Sequence, residues 1–250
     1  MIPKNTSKFI LSLHQKKYRQ RNRAFLVEGA KSVAELLQSD FITQLLLATP
    51  LFLDAHANLI PKGLELLETT ETELQRLGTF ESNNAALAIA QMRPAYPPEP
   101  DKNSLSLALD DVRDPGNLGT IVRIADWYGI KNLICSSSSA DFYNPKAISA
   151  SMGSFCRVHP FYTDLQQYLS NARQEMPVYA AALEGRNVYS KTLQPSGILV
   201  MGNEANGISA EIMALATEKL TIPRFGHAES LNVAIATAIL CDNFYRYVKA

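Results

Sequence analysis

The sequence predicts an α/β protein built in two parts, on three observations. Apolar runs of strand length alternate with helix-period stretches along most of the chain. A stretch with four prolines, RPAYPPEPDKNS at residues 93 to 104, interrupts the alternation. It is too rich in proline to continue a helix or pair in a sheet, so it reads as an extended linker. After it, the strand-helix repeats are regular enough for a mostly parallel sheet covered on both faces. The expected boundaries are residues 1–93, a linker over 94–103, and residues 104–250. Both flanking parts are of domain size.

In the first part, residues 5 to 20 read as a helix, AFLVEG as a strand and AKSVAELLQS as a helix. FITQLLLAT is a strand, ETELQRLG a short helix and AALAIAQM a closing strand. The result is a small α/β sandwich with no catalytic cluster, which suits a binding role. In the second part LSLALDD is a strand, residues 117 to 129 a helix, NLICSS a strand and PKAISASMG a helix. PVYAAAL and GILVMG are strands, SAEIMALATE is a helix, KLTIP a strand and LNVAIATAILCDNFYRYV a long final helix.

The composition, 46% hydrophobic over 250 residues, is that of a folded protein. No apolar run approaches a membrane span, and the N-terminus lacks an apolar segment ending at a small-residue cleavage site. The expectation is a cytoplasmic protein without membrane attachment. Cys135, Cys156 and Cys241 are far apart and show no metal-ligand spacing, so they read as buried free thiols. The net charge of zero argues against broad nucleic-acid affinity, but its distribution is uneven. Lys4, Lys8, Lys16, Lys17, Arg19, Arg21 and Arg23 all precede the first acid, Glu28, a local charge of +7. With His14 and Tyr18 interleaved, this segment suits phosphate contacts; a solvated helix face accounts for the same charges.

Three polar clusters fall just past predicted strands, where ligands bind in sheets of this kind. The first is DDVRDPGNLGTIVR, in which Asn117 stands near a helix start and Arg123 two turns into the helix. A cap and a surface charge explain these two residues equally well. The second is VMGNEANGIS, with Gly202, Glu204 and Asn206. It has neither the lysine of a phosphate loop nor the glycine spacing of a dinucleotide site. The third is IPRFGHAESLNVAIATA, where His227, Glu229, Ser230 and Asn232 crowd a loop before the final helix. A hydrolytic triad does not fit: there is no GxSxG elbow, and residues this close in sequence cannot take up triad geometry. Ser230 or Asn232 as a helix cap is the plain reading.

Taken together and in this order, NLGTIVR, GNEANGIS and IPRFGHAESLNVAIATA resemble the three motifs of the SpoU family, ribose 2′-O-methyltransferases of the SPOUT superclass. NPKAISASMGSFCRVHP also looks like the family's stretch between its first two motifs. The resemblance covers residues 104 to 250, and the N-terminal part resembles the ribosomal-protein-like substrate-binding domain often fused to these enzymes. It implies a trefoil knot around the last helix, a homodimer with active sites near the subunit interface, S-adenosylmethionine as cofactor, and no metal.

By the same resemblance Asn117, Arg123, Glu204, Ser230 and Asn232 form the catalytic group. Gly202, Ile222 and Leu231 would hold the cofactor, largely through backbone. Lys16, Lys17, Arg19, Arg21 and Arg23 are the expected RNA contacts. Ribosomal RNA is the expected substrate. Transfer RNA is the alternative, and a catalytically silent RNA-binding relative or a Rossmann-type small-molecule enzyme are rivals. A guanidinium stays charged in proteins, so Arg123 is better suited to clamp a phosphate than to act as base.

Overall fold

The computed structural model describes residues 2–79, 82–99 and 101–248. Pro100, one of the four linker prolines, lies outside the described residues. The chain forms two compact units, and the second lends a segment to the first. Unit one is Met1–Pro94 with Asp141–Cys156; unit two is Ala95–Ala140 with Arg157–Ala250.

Unit one runs α1 (Lys4–Ser12), α2 (Lys16–Asn22), β1 (Ala24–Glu28), α3 (Ala30–Leu37), β2 (Thr43–Ala48), α4 (Pro50–His56), β3 (Glu65–Glu68), α5 (Glu71–Leu77) and β4 (Ala86–Gln91). The sheet order is β1-β4-β2-β3, with β2 and β3 parallel and the other pairs antiparallel. The single helix expected over residues 5 to 20 is two helices, because the Leu13 and His14 carbonyls turn away to accept from the Arg19 guanidinium, both at 2.9 Å. Two elements were not expected. Helix α4 starts on a proline, and β3 is a four-residue edge strand with little burial.

Although β1 lies at a sheet edge, all five of its residues are buried. The lent segment covers it, with α7 (Pro145–Ser151) packed on β1. Phe25 of β1 meets Tyr143 and Phe155 at ring-centroid distances of 4.6 and 5.9 Å. A sheet edge closed in this way cannot template another strand.

In unit two, β5 (Leu105–Leu109), α6 (Pro115–Trp127), β6 (Asn132–Ser136), β7 (His159–Thr163), α8 (Leu165–Ala172), β8 (Val178–Asn187), β9 (Gly197–Met201), α9 (Ala210–Met213), β10 (Glu218–Thr221) and α10 (Val233–Tyr245) follow in order. Their sheet, β10-β8-β9-β5-β6-β7, is parallel at every pairing. The central strands are mostly apolar because both faces are covered, with Ala108, Ile134, Val178, Ile198 and Val200 in one core. Strand β7 and helix α8 were not expected, and the helix expected over 209 to 218 is only the four residues of α9 before the chain turns into β10. No helix among the described residues is long and apolar enough to cross a membrane.

Candidate active site

The chain moves outward from β5 to β6 and β7, then crosses to β8 and returns to insert β9 beside β5. The direction of winding therefore reverses between β5 and β9, the place where such sheets open a crevice. Leu109 pairs with Met201, so the residues after each strand emerge side by side. Strand β8 lies next to β9, and β10 next to β8. All three polar clusters are thus delivered to one end of one sheet.

The two aspartates after β5 brace the loop after β9. Asp110 Oδ2 accepts from both the backbone N–H and the hydroxyl of Ser209, each at 2.8 Å. Asn203 Nδ2 donates to the Asp111 carbonyl at 2.8 Å and to its carboxylate at 3.2 Å, while Asn203 Oδ1 accepts from Ala205 and Asn206 N–H. Asp111 has φ +60°, a left-handed conformation that aspartate tolerates better than most residues. Burial works against its charge, but hydrogen bonds from Arg113, Ser138 and Asn203, with the Arg113 charge, hold its carboxyl below the usual carboxylate range. The same loop folds back over Gly202: a Cβ there would lie 2.3 Å from the Gly207 carbonyl carbon. Only glycine fits.

Beside this brace runs a chain of three polar side chains. Asn232 caps α10, its Oδ1 accepting from Ala234 and Ile235 N–H. With the oxygen so committed, its Nδ2 must donate, and it does so to Asn117 Oδ1 at 2.9 Å. Asn117 Nδ2 then donates to Glu204 Oε1, also at 2.9 Å. The cap of one helix therefore fixes the orientation of both amides and the placement of the carboxylate. Asn117 is not itself a cap; Asp114 is, accepting from Asn117 N–H.

Glu204 also lines a cleft of about 710 Å³, together with Gly202, Ile222, Ser230 and Leu231. A further wall of it was not foreseen from the sequence. Strand β8 pairs with β10 through Ala180 and resumes at Arg186, so the intervening residues leave the ladder. Ala181, Ala182 and Leu183 turn to the cleft. Gly185 closes the bulge against the Lys219 backbone, where a Cβ would lie 2.7 Å from the carbonyl oxygen. A glycine inside a strand pattern was the available signal.

Arg123 is not brought to this group. Its guanidinium is exposed, lines no part of the cleft and has no side-chain hydrogen bond or ion pair among the described residues. Six positions from Asn117, it projects from a different face of α6. Among the expected RNA contacts, Lys16, Lys17, Arg21 and Arg23 are exposed. Arg19 is a correction: it is 1% exposed and pairs with Asp141 at 2.5 Å through Nη2. With its other bonds taken by the Leu13 and His14 carbonyls, it has no face left for a phosphate. Cys135 and Cys241 are buried, and burial pushes both thiols up to about 12. Among the described residues no cluster of His, Cys, Asp and Glu is suited to hold a metal ion.

The profile of the SpoU rRNA methylase family matches residues 104–242. The chain belongs to this family. Its SpoU half carries all three strand-end clusters, and residues 4–88 match an MRM3-like substrate binding domain. The SpoU chain is 31% identical to the 23S rRNA (guanosine(2553)-2′-O)-methyltransferase RlmP of Bacillus subtilis, an alignment spanning 91% of both. Its fold superposes on a TrmH-family protein from Porphyromonas gingivalis with a TM-score of 0.88, at 41% identity, covering 98% of this chain and 99% of that one. An AdoMet-bound rRNA methyltransferase from Sinorhizobium meliloti gives 0.89 at 28% identity, covering 100% and 97%.

The SpoU cleft suits S-adenosylmethionine in size and lining. Its volume lies within the range of small-molecule sites. Leu220, Ile222 and Leu231 offer an apolar bed for a nucleoside, and Gly202 and Gly207 line the cleft beside them.

Proposed function

We propose that this protein transfers the methyl group of S-adenosylmethionine to a ribose 2′-oxygen of ribosomal RNA. One observation carries the reading: the polar chain Asn232–Asn117–Glu204 ends on the wall of a cleft fit for the cofactor. When bound, the cofactor supplies a methyl group on a sulfonium. A ribose hydroxyl is a weak nucleophile, so its proton needs a nearby acceptor and its oxygen a fixed approach. Glu204 and Glu229 both line the cleft, and we read Glu204, the one oriented by Asn117, as the carboxylate that accepts that hydrogen bond. Ser230 also lines the cleft, which supports reading it as the group that holds the ribose. Asn232 has both ends of its amide committed, so it acts as a positioning residue.

We read the protein as a homodimer in which Arg123 serves across the interface, clamping a phosphate beside the target ribose. Two observations support this: one chain alone leaves Arg123 apart from the cleft, and α6 and α10, packed together, expose Trp127 and Ile235. A trefoil knot is inferred with the family. Unit one, with its basic α2, would grip the RNA, and the cytoplasm would be the site of action. The test is to map 2′-O-methyl groups in RNA from cells with and without the gene. One ribosomal RNA ribose should lose its methyl group. An unchanged ribosomal RNA profile would overturn the substrate.

A further inference from the structure

We propose that Phe225 is a stacking platform for the base of the target nucleotide. This rests on the methyltransferase reading and specifies how that site takes its substrate. Phe225 lies in the loop between β10 and α10, where every residue from Arg224 to Asn232 is exposed. It is 94% exposed, the most of any large apolar residue in the described chain. Among the described residues the ring has no aromatic or cationic partner. A Cβ on neighbouring Gly226 would meet no atom within 4 Å, so that side of the loop is open. Arg224 Nη1 donates to the Ala228 carbonyl at 3.3 Å, tying together the two sides of the turn that carries Phe225.

Its position selects the ligand. Phe225 borders the cleft, but so exposed a ring contributes almost nothing to the cleft interior. A cofactor inside meets Ile222 and Leu231 first. What arrives over the rim is the RNA. The base is bonded to C1′, next to the carbon that bears the reacting oxygen. A ribose held between Glu204 and Ser230 therefore keeps its base close to the cleft mouth. A nucleotide drawn out of its stack loses its neighbours, and an exposed aromatic face replaces one of them. Such stacking accepts any base, so it anchors the target without choosing it.

The test uses the full chain, tritiated S-adenosylmethionine and 23S ribosomal RNA transcribed in vitro. Phe225→Ala and Phe225→Leu should each raise the KM for RNA about ten-fold or more, the size expected for one lost stacked base. Turnover at saturating RNA, cofactor affinity by calorimetry and oligomeric state should stay as in the wild type. Phe225→Tyr and Phe225→Trp should restore the KM, whereas leucine keeps the apolar bulk without the ring face. An unchanged KM in the alanine variant would overturn the proposal, as would leucine rescuing as well as tyrosine. A parallel loss of cofactor affinity would make the residue a cofactor cover, and a loss of oligomeric state an interface residue; either overturns it. A wild-type protein that methylates no RNA overturns the enzymatic reading and this inference together. An active wild type with an indifferent alanine variant overturns the inference alone.

Discussion

Asn232 links structure to chemistry through a single amide. Its oxygen terminates α10, which leaves its nitrogen to orient Asn117 and through it Glu204. Arg123 stands outside that chain. Arg123→Ala should therefore reduce methyl transfer at least about a hundred-fold, the scale of one lost electrostatic contact to a reacting group, with cofactor affinity unchanged by calorimetry. Arg123→Lys should remain poor, since lysine lacks the planar fork. Near-normal turnover in either variant would mark Arg123 as a plain surface charge. The motifs singled out residues that the fold does bring together: Gly202, Glu204, Ile222, Ser230 and Leu231 line one cleft, and Asn232 and Asn117 bond in series to Glu204. The brace of Asp110, Asp111, Asn203 and Ser209 was not legible in the sequence, because a polar residue past a strand reads the same whether it faces a ligand or a neighbouring loop.

Helix α2 shows the same limit for a whole element. Its charge was plain in the sequence, but the burial of one of its arginines depended on Asp141, 122 positions away. Neutralising Lys16, Lys17, Arg21 and Arg23 together should flatten the salt dependence of RNA binding by about 0.7 to 0.9 per lost phosphate contact. Filter binding at several salt concentrations measures this, and identical slopes would place the RNA contacts elsewhere. Arg19 should behave differently. Asp141→Ala leaves a buried guanidinium without its counter-charge and should cost about 3–5 kcal/mol in denaturant unfolding, with cofactor affinity less affected. A loss under about 1 kcal/mol would show that the two carbonyls suffice for Arg19. Strands that are buried and mostly apolar, such as β5 and β9, were read correctly from the sequence. Strands β3 and β7 were missed because a short, half-exposed strand carries no clear period, and β7 has a proline within it.

At the scale of the molecule, the chain divides within its proline-rich stretch, but not there alone. The linker marks where the first long stretch ends, but Asp141–Cys156 returns to complete unit one. No local pattern announces this. PKAISASMG has the same helical period wherever it docks, and contacts distant in sequence decide the place: the Arg19–Asp141 ion pair and the pairings of Phe25 with Tyr143 and Phe155. A fragment of residues 1–94 would leave β1 as an open apolar edge, with Phe25 and Phe41 uncovered and Arg19 unpaired. Loss of the segment removes a buried ion pair and several aromatic contacts, more than a domain of this size can spare. The fragment should therefore unfold without a cooperative transition, or aggregate, while the full chain melts cooperatively. Adding a 141–156 peptide in trans, or fusing it through a flexible linker, should restore a sharp melt by circular dichroism. A bare 1–94 fragment that melts as sharply as the intact protein would show that β1 needs no cover and that the proline-rich stretch is the true boundary.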